Sequence, residues 1–427
     1  MSPSLPSAPR AGRAADREGE GHAALRRLTR LPGGRELITV AGEHPVRVAL
    51  VGGAVRDLLS GRCPRELDAV VCGELEPVAG ALSRRLGGEV IRHERFATAT
   101  VTGANARVDL ARARTETYPA AGALPVVGPA SLEQDLARRD FTVNAIALKL
   151  DGEHAGELIA PERALDDLRA GRLRVLHDKS FRDDPTRVLR LARYEARLGF
   201  TVEAHTARLA EEALTAQALA TVSGARLGAE LRLALREPDP VAVLSAMHRL
   251  GALAALHPRL LLDAERVRAA LELLPADGRP DLLVLCGLSL ALSLSRADPA
   301  AELRGWLDRL EFPASDRERV LGAALATPRL CAELSEARRP SELRAIVAGA
   351  PLEAVALAGA LGACEPARQW LSQLRHVRLT LRGEDLLAAG IPRGPEIGRR
   401  LAATLDLRLD GTVAPGRDAE LAAALQV

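Results

Sequence analysis

The chain changes period near residue 150. Ahead of that point short runs rich in valine and threonine, VRVALVGG (Val46 to Gly53), LDAVVC (Leu67 to Cys72) and ATATV (Ala97 to Val101), alternate with helical stretches. Beyond it, segments such as RVLRLARYEARLGF and DAERVRAALELL space their apolar residues near 3.6 and are punctuated by Gly and Pro. A strand face repeats every two residues and a helix face every 3.6, so one uniform architecture is excluded. The expected fold class is α+β: a small mixed β-sheet with helices, followed by an all-α remainder. No sequence repeat recurs at a fixed period, which argues against a solenoid of regular units.

The bulk properties bound the function. With 427 residues the chain has room for two to four modules and a large core. Its five cysteines form no C-x-x-C pair and no His/Cys cluster at zinc spacing, so a reducing cytoplasm is the expected setting. The first 22 residues mix Pro, Ser, Arg and Glu without an apolar run, and residues 1–25 are expected to form a disordered tail. The strongest apolar stretch, Leu282 to Leu294, is broken by Gly287 and two serines and falls short of the roughly 20 residues a bilayer demands. No membrane partner is expected. Net charge is only +2 and aromatics make up 2% of the chain, so a nucleic acid would be met through shape and backbone more than through stacking.

Chemistry enters at VALVGGAVRDLL (48 to 59), where an apolar run ends in Gly52-Gly53 and an amphipathic helix follows. Such a turn lets backbone N–H groups approach a phosphate at a helix N-terminus. It is neither G-x-G-x-x-G nor a P-loop, so a dinucleotide site and a Walker ATPase both lack their fingerprints. Next, RELDAVV (Arg65 to Val71) sets Glu66 and Asp68 two residues apart at the start of an apolar strand, where alternate residues share a face. Two carboxylates on one face repel unless a cation lies between them, and hard divalent cations take oxygen ligands. A third acid, Asp109 in ARVDLARAR, lies in another strand-like run and would complete a two-metal site by folding beside the first pair.

VGGAVRDLLSGRCPRELDAVV resembles the signature of the class II tRNA nucleotidyltransferases and the related bacterial poly(A) polymerases. Similar blocks follow in the family's order: VDLARARTETY (108 to 118), RRDFTVNAIAL (138 to 148), FRDDPTRVLRLARYEARLGF (181 to 200) and, near the end, LRGEDLLAAGIPRGPEIGRRL and LDGTV. The resemblance is dense from about 46 to 200 and patchy beyond. It implies a catalytic head over 26–150, a helical neck over 151–235 that meets the nucleotide base and RNA, a helical body over 236–330 and a tRNA-binding tail over 331–427. It makes Glu66, Asp68 and Asp109 the catalytic carboxylates and Mg²⁺ ligands, and Gly52, Gly53 and Arg56 the triphosphate cradle. Arg139, Asp140 and Asn144 match positions that contact the sugar and phosphates, and the run from about Arg112 to Gln134 matches a mobile loop. The family usually has Asp at both strand positions, so Glu66 departs from the pattern.

In DDPTRVLR, Asp184, Arg187 and Arg190 are spaced i, i+3, i+6 along one side of a helix starting near Pro185. A carboxylate accepts hydrogen bonds and a guanidinium only donates them. Cytosine and adenine both offer an amino donor beside a bare ring nitrogen, so an Asp184/Arg187 pair complements C and A and mismatches U and G. The resemblance assigns these two to base reading and Arg190 to phosphate. The implied activity is template-independent addition of C and A (CCA) to the tRNA 3′ acceptor end from CTP and ATP, with no DNA partner. A-only, CC-only or poly(A) addition, and a catalytically silent RNA-binding relative, stay open as alternatives. Candidate RNA contacts are Arg172, Arg174, Arg182 and Arg193 in the neck and Arg393, Arg399 and Arg400 in the tail. The lone His177-Asp178 dipeptide lacks a partner histidine, and His177 is read as structural.

Overall fold

The computed structural model describes residues 10–93, 97–294 and 298–427, with side chains from residue 17 onward. The chain forms two compact units, Met1–Val222 and Ser223–Val427.

Among the described residues the first unit contains eleven strands: β1 (Arg47–Val51), β2 (Leu67–Cys72), β3 (Glu89–His93), β4 (Thr98–Thr102), β5 (Arg107–Arg112), β6 (Arg114–Thr117), β7 (Val126–Pro129), β8 (Ala147–Lys149), β9 (Leu158–Ile159) and a short parallel pair, β10 (Arg172–Leu173) and β11 (Thr201–Val202). Seven of them form a mixed sheet in the order β3-β4-β5-β2-β1-β8-β9, while β6 and β7 make a separate hairpin. Within the seven-stranded sheet, β2 and β5 run parallel and every other neighbouring pair is antiparallel. The parallel register sets Leu67 beside Val108 and Asp68 beside Asp109.

The two faces of this sheet differ as the period-2 text demands. One face buries Val48, Leu50, Ala69, Val71, Val101, Val108 and Leu110. Helices α1 (Arg10–Leu28), α2 (Gly34–Glu43), α3 (Gly53–Leu59) and α4 (Leu75–Leu86) supply Leu28, Leu37, Val40, Val78 and Leu82 to the same core. On the other face a cluster of small residues, Ala49, Val51, Val70, Ala113, Ala145 and Ala147, packs under Leu132 and Leu136 of α5 (Leu132–Ala137). That cover ends short of β4 and β5, where Thr98, Thr100 and Thr102 alternate with buried Ala99 and Val101. A polar strip is left open there, and Asp68 and Asp109 lie on it.

The expected tail over 1–25 is corrected in part. Residues 1–9 lie outside the described residues, but the chain is helical from Arg10. The helix is docked: Ala24 and Leu28 are fully buried, Arg27 donates to the carbonyl of Leu58 (2.6 Å), and Glu20 pairs with Arg169 (2.8 Å). A Cβ on Gly21 would lie 1.9 Å from the Gly156 carbonyl oxygen, so only glycine permits this approach. Gly21, Ala24 and Leu28, spaced i, i+3, i+7, form one narrow stripe on an otherwise charged helix. The run read as a mobile loop contains the β6–β7 hairpin and the capped start of α5.

Helices α6 (Ala164–Arg169), α7 (Ser180–Asp183) and α8 (Thr186–Leu198) follow, with Pro185 at the N-cap of α8. The second unit is helical throughout its regular elements, from Gly224–Leu235 to Arg417–Gln426. Its opening helix, counted with the neck in the sequence, packs within this unit: added Cβ atoms on Gly224 and Gly228 would fall 1.6 and 1.9 Å from the carbonyl oxygens of Arg309 and Leu310. The apolar stretch of the sequence becomes the central helix Pro280–Ser293, buried on nearly every side. Among the described residues no helix is long and apolar enough to cross a membrane.

Candidate functional site

The β2–β5 register brings the three acids together. One carboxylate oxygen from each of Glu66, Asp68 and Asp109 lies within 4.8 Å of the others. Glu66 is not on the strand, as the sequence spacing suggested, but in the bend just before β2 and exposed. Asp109 accepts hydrogen bonds from Thr100 Oγ1, across the β4–β5 pair, and from Arg107 Nε (3.2 Å). Burial, reinforced by the charges of Glu66 and Asp109, pushes the Asp68 carboxyl up to about 6 despite Arg139 and Arg107 nearby. Unbalanced negative charge and an oxygen-only donor set suit a hard divalent cation and not zinc or copper. Asp68 and Asp109 open onto a cavity of about 380 Å³ lined also by Val51, His93, Thr98, Thr100 and Arg139, while Glu66 lines a second cavity with Arg65 and Arg107.

The glycine turn stands beside them. Gly52 has φ +70, and a Cβ there would lie 3.0 Å from Arg139 Nη1. Gly53 opens α3. Arg139 is held by Asp135 (2.9 Å), and its Nε is buried with no hydrogen-bond acceptor among the described residues.

Behind the turn runs a chain of buried hydrogen bonds. Arg56 Nη1 donates to Asn144 Oδ1 (2.6 Å), Asn144 Nδ2 to Asp140 Oδ1 (3.0 Å), and Arg190 Nη2 to Asp140 Oδ2 (2.6 Å). Burial alone would raise the Asp140 carboxyl; the Arg190 guanidinium and the Asn144 amide outweigh it and hold the group at about 2. Arg56, Arg190 and Arg193 all sit against the ring of Tyr194, at 5.6, 5.6 and 5.1 Å from its centroid. The sequence-derived set thus separates into two groups. Arg139 and Arg190 keep 18% and 30% of their side chains exposed, whereas Arg56, Asn144 and Asp140 are 2%, 5% and 8% exposed and brace the turn from beneath. The Arg56 guanidinium donates to Asn144 and to Asp57 Oδ1 (2.9 Å).

Asp184 lies just ahead of α8 and accepts from the backbone N–H and hydroxyl of Thr186 (3.1 and 2.6 Å). Arg187, 5% exposed, donates to Ser180 Oγ (2.7 Å) and to the carbonyl of Arg138 (2.8 Å). Arg138 in turn pairs with Glu116 and with fully buried Asp135, both at 2.7 Å. Tyr118 donates to Glu116 (3.0 Å), and burial followed by the Glu116 charge pushes its phenol up to about 12. Sequence reading missed Glu116, Tyr118, Asp135 and Arg138 as a unit. Their signal was present as R-x-E-x-Y on β6 and D-x-x-R on α5, but only tertiary packing joins the two. Among the proposed neck contacts, Arg174 is tied to buried Asp167 (2.9 Å) and Arg193 is 7% exposed, while Arg172 and Arg182 face outward. In the second unit Arg393 and Arg399 are exposed, and Arg400 is held by Glu396 (2.8 Å).

Comparisons with known proteins agree with this geometry. Residues 48–174 match the family model described as the poly A polymerase head domain. The chain is 34% identical over 414 residues to the A-adding tRNA nucleotidyltransferase of Geobacter sulfurreducens, covering 92% of this chain and 46% of that protein. It spans about half the length of several of the curated relatives it matches. The match to the CC-adding tRNA nucleotidyltransferase of Deinococcus radiodurans is 36% identical over 371 residues and covers 86% of both chains. A solved structure of the Thermotoga maritima CCA-adding enzyme complexed with tRNA aligns with a TM-score of 0.75 at 28% identity, covering 94% of this chain and 97% of that one. The chain belongs to the tRNA nucleotidyltransferase family.

Proposed function

We propose that the protein is a template-independent tRNA nucleotidyltransferase of the cytoplasm that adds C and A to the tRNA 3′ end from CTP and ATP. The observation that carries this reading is the side-by-side placement of Asp68 and Asp109 on parallel strands, with Glu66 in reach and the Gly52–Gly53 turn alongside. Glu66, Asp68 and Asp109 hold Mg²⁺, expected as a pair. When bound, the metal supplies charge neutralisation at the triphosphate and a lower pKa for the attacking hydroxyl.

The chain's own residues perform the positioning. The Gly52 N–H is committed to the Ile146 carbonyl (3.2 Å), so the Gly53 N–H at the start of α3 and the guanidiniums of Arg139 and Arg190 receive the triphosphate. The buried Arg139 Nε costs about 1–3 kcal/mol while it lacks an acceptor, and a phosphate oxygen relieves that cost. The tRNA 3′-oxygen bonds to the α-phosphorus as the bond from that phosphorus to the pyrophosphate oxygen breaks. Asp109, its oxygens fixed by Thr100 and Arg107, receives the hydroxyl proton. Asp184 and Arg187 read the base. Arg187 must exchange one of its acceptors, Ser180 or the Arg138 carbonyl, for the base, which couples base reading to the Arg138–Glu116–Asp135 cluster.

Asp68→Ala is expected to abolish incorporation while leaving tRNA binding nearly intact; undiminished incorporation by that variant refutes the assignment. The names of the two relatives that cover most of this chain favour a second reading, addition of A alone or of CC alone. Transcripts lacking CCA, CA or A, each incubated with CTP or ATP separately and then with both, decide. Full CCA addition predicts extension of all three. Extension of only the transcript lacking A selects A-addition.

A further inference from the structure

We infer that a cavity beside Trp370, in the second unit, binds an unpaired nucleotide of the RNA substrate, with the base on the indole and the phosphate on Arg378. The inference rests on the RNA partner proposed above and concerns a site separate from the catalytic carboxylates.

The chain has two tryptophans. Trp306 is 1% exposed and belongs to the core. Trp370 is only half-buried, on the helix Cys364–Ser372, and lines a cavity of about 450 Å³. That volume lies in the roughly 300–1,000 Å³ range of small-ligand sites. In a chain with 2% aromatics, an indole left beside open space is out of keeping with packing alone. The loop between the helices Pro340–Ile346 and Leu352–Ala358 also lines the cavity, with Ala348, Gly349 and Ala350. A Cβ added at Gly349 would meet nothing within 4 Å, so a planar ring has room there.

The charge of the lining selects the ligand. Arg344, Arg375 and Arg378 face a single carboxylate, Asp277. Arg375 is fixed on Asp277 (2.6 and 3.1 Å), and Arg344 is clamped by Asp406 (2.7 and 2.8 Å). Arg378 differs. Its Nη1 donates to the carbonyls of Arg375 (2.6 Å) and Val377 (2.9 Å), which aims the guanidinium, and it has no carboxylate partner among the described residues. A preset, uncompensated guanidinium is a phosphate receptor. The aromatic plane beside it is a base receptor, and the combination recurs wherever unpaired nucleic acid is held without sequence readout. A fully paired duplex offers the phosphate but hides the base, so the ligand is an unpaired nucleotide.

Intrinsic tryptophan fluorescence of the full chain provides the test, since buried Trp306 contributes a constant background. A tRNA transcript is expected to quench the signal; a blunt fully paired RNA duplex and free CMP at matched nucleotide concentration are not. Trp370→Ala is expected to raise the tRNA Kd about tenfold, from the roughly 1–3 kcal/mol that stacking contributes, and Trp370→Phe to recover most of it. Arg378→Ala, at an exposed position, is expected to lower the slope of log Kd against log salt by about 1. Incorporation at saturating tRNA stays unchanged in all three variants. An unaltered Kd in Trp370→Ala, or an unaltered salt slope in Arg378→Ala, overturns the inference. Quenching by CMP that Trp370→Ala abolishes without weakening tRNA also overturns it, by making the site one for free nucleotide. Because quenching requires no chemistry, a protein inactive in the incorporation assay yet quenched by tRNA upholds this site while removing the transferase reading.

Discussion

Replacing Asp68 by asparagine should stabilise the metal-free protein. In the folded state its carboxyl titrates at about 6 against an ordinary value of 3.8, because burial and the Glu66 and Asp109 charges oppose ionisation. That difference corresponds to about 3 kcal/mol of penalty once the group is ionised. Water reaching exposed Glu66 screens part of it, so about 1–2 kcal/mol is the expected gain from Asp68→Asn. The sign follows from linkage. Below about pH 4 the carboxyl is protonated whether the chain is folded or not, and the substitution changes little. The penalty grows between about pH 4 and 6, and above about 6 the gain is complete. Differential scanning calorimetry in EDTA measures it. A first unit of this size should melt about 2–8 °C higher in the variant at pH 7.5, with the gain falling to about a third at pH 4.5. Millimolar Mg²⁺ should then raise the wild-type transition and leave the variant's unmoved, since a ligand stabilises only the state that binds it. A variant that melts lower than the wild type in EDTA at pH 7.5, or a gain independent of pH, refutes the electrostatic account of the site.

The buried brace makes the opposite prediction. Asp140→Asn removes the carboxylate paired with the Arg190 guanidinium and should cost about 2–3 kcal/mol at pH 7. Because the Asp140 carboxyl is held down at about 2, its contribution is intact at pH 5 and is lost only as the pH falls from about 4 through 2; equal urea midpoints for variant and wild type at pH 7 would contradict this. Gly52→Ala places a Cβ 3.0 Å from Arg139 Nη1 at a φ of +70, so nucleotide affinity by titration calorimetry should drop about tenfold with RNA affinity unchanged. Glu66→Asp should weaken Mn²⁺ binding, read by electron paramagnetic resonance, about tenfold; tighter binding would mean that the longer side chain is a handicap.

The parts of the site that were legible in the sequence are those confined to a few consecutive residues. The Gly52–Gly53 turn, the E-x-D string and the Pro185-led helix each announce themselves through local backbone chemistry. Asp109 is different: nothing in ARVDLARAR selects it as a partner of Asp68, and only the β2–β5 pairing, across some forty residues of chain, does so. The resemblance supplied that pairing before any coordinate did. The brace and the Arg138 cluster were illegible for the same reason. Asp140 and Arg190 are fifty residues apart, and their partnership is decided by α8 crossing behind the turn. Helix α1 escaped because its buried stripe is three small or medium residues wide, too narrow to lift a composition dominated by charge.

Glu66 shows how a residue picked out by a local pattern can join the cluster through a different geometry from the one the pattern implied. Two acids two apart imply one strand face, and on that view the extra methylene of glutamate pushes its oxygens past where an aspartate's would lie. The strand starts at Leu67, however, and Glu66 sits in the exposed bend ahead of it. From a bend the backbone no longer points the side chain along the strand's normal, so the reach to Asp68 and Asp109 must come from side-chain length. Glutamate provides that length and still brings an oxygen within 4.8 Å of the other two. Shortening Glu66 by one methylene acts on that reach, which is what Glu66→Asp tests.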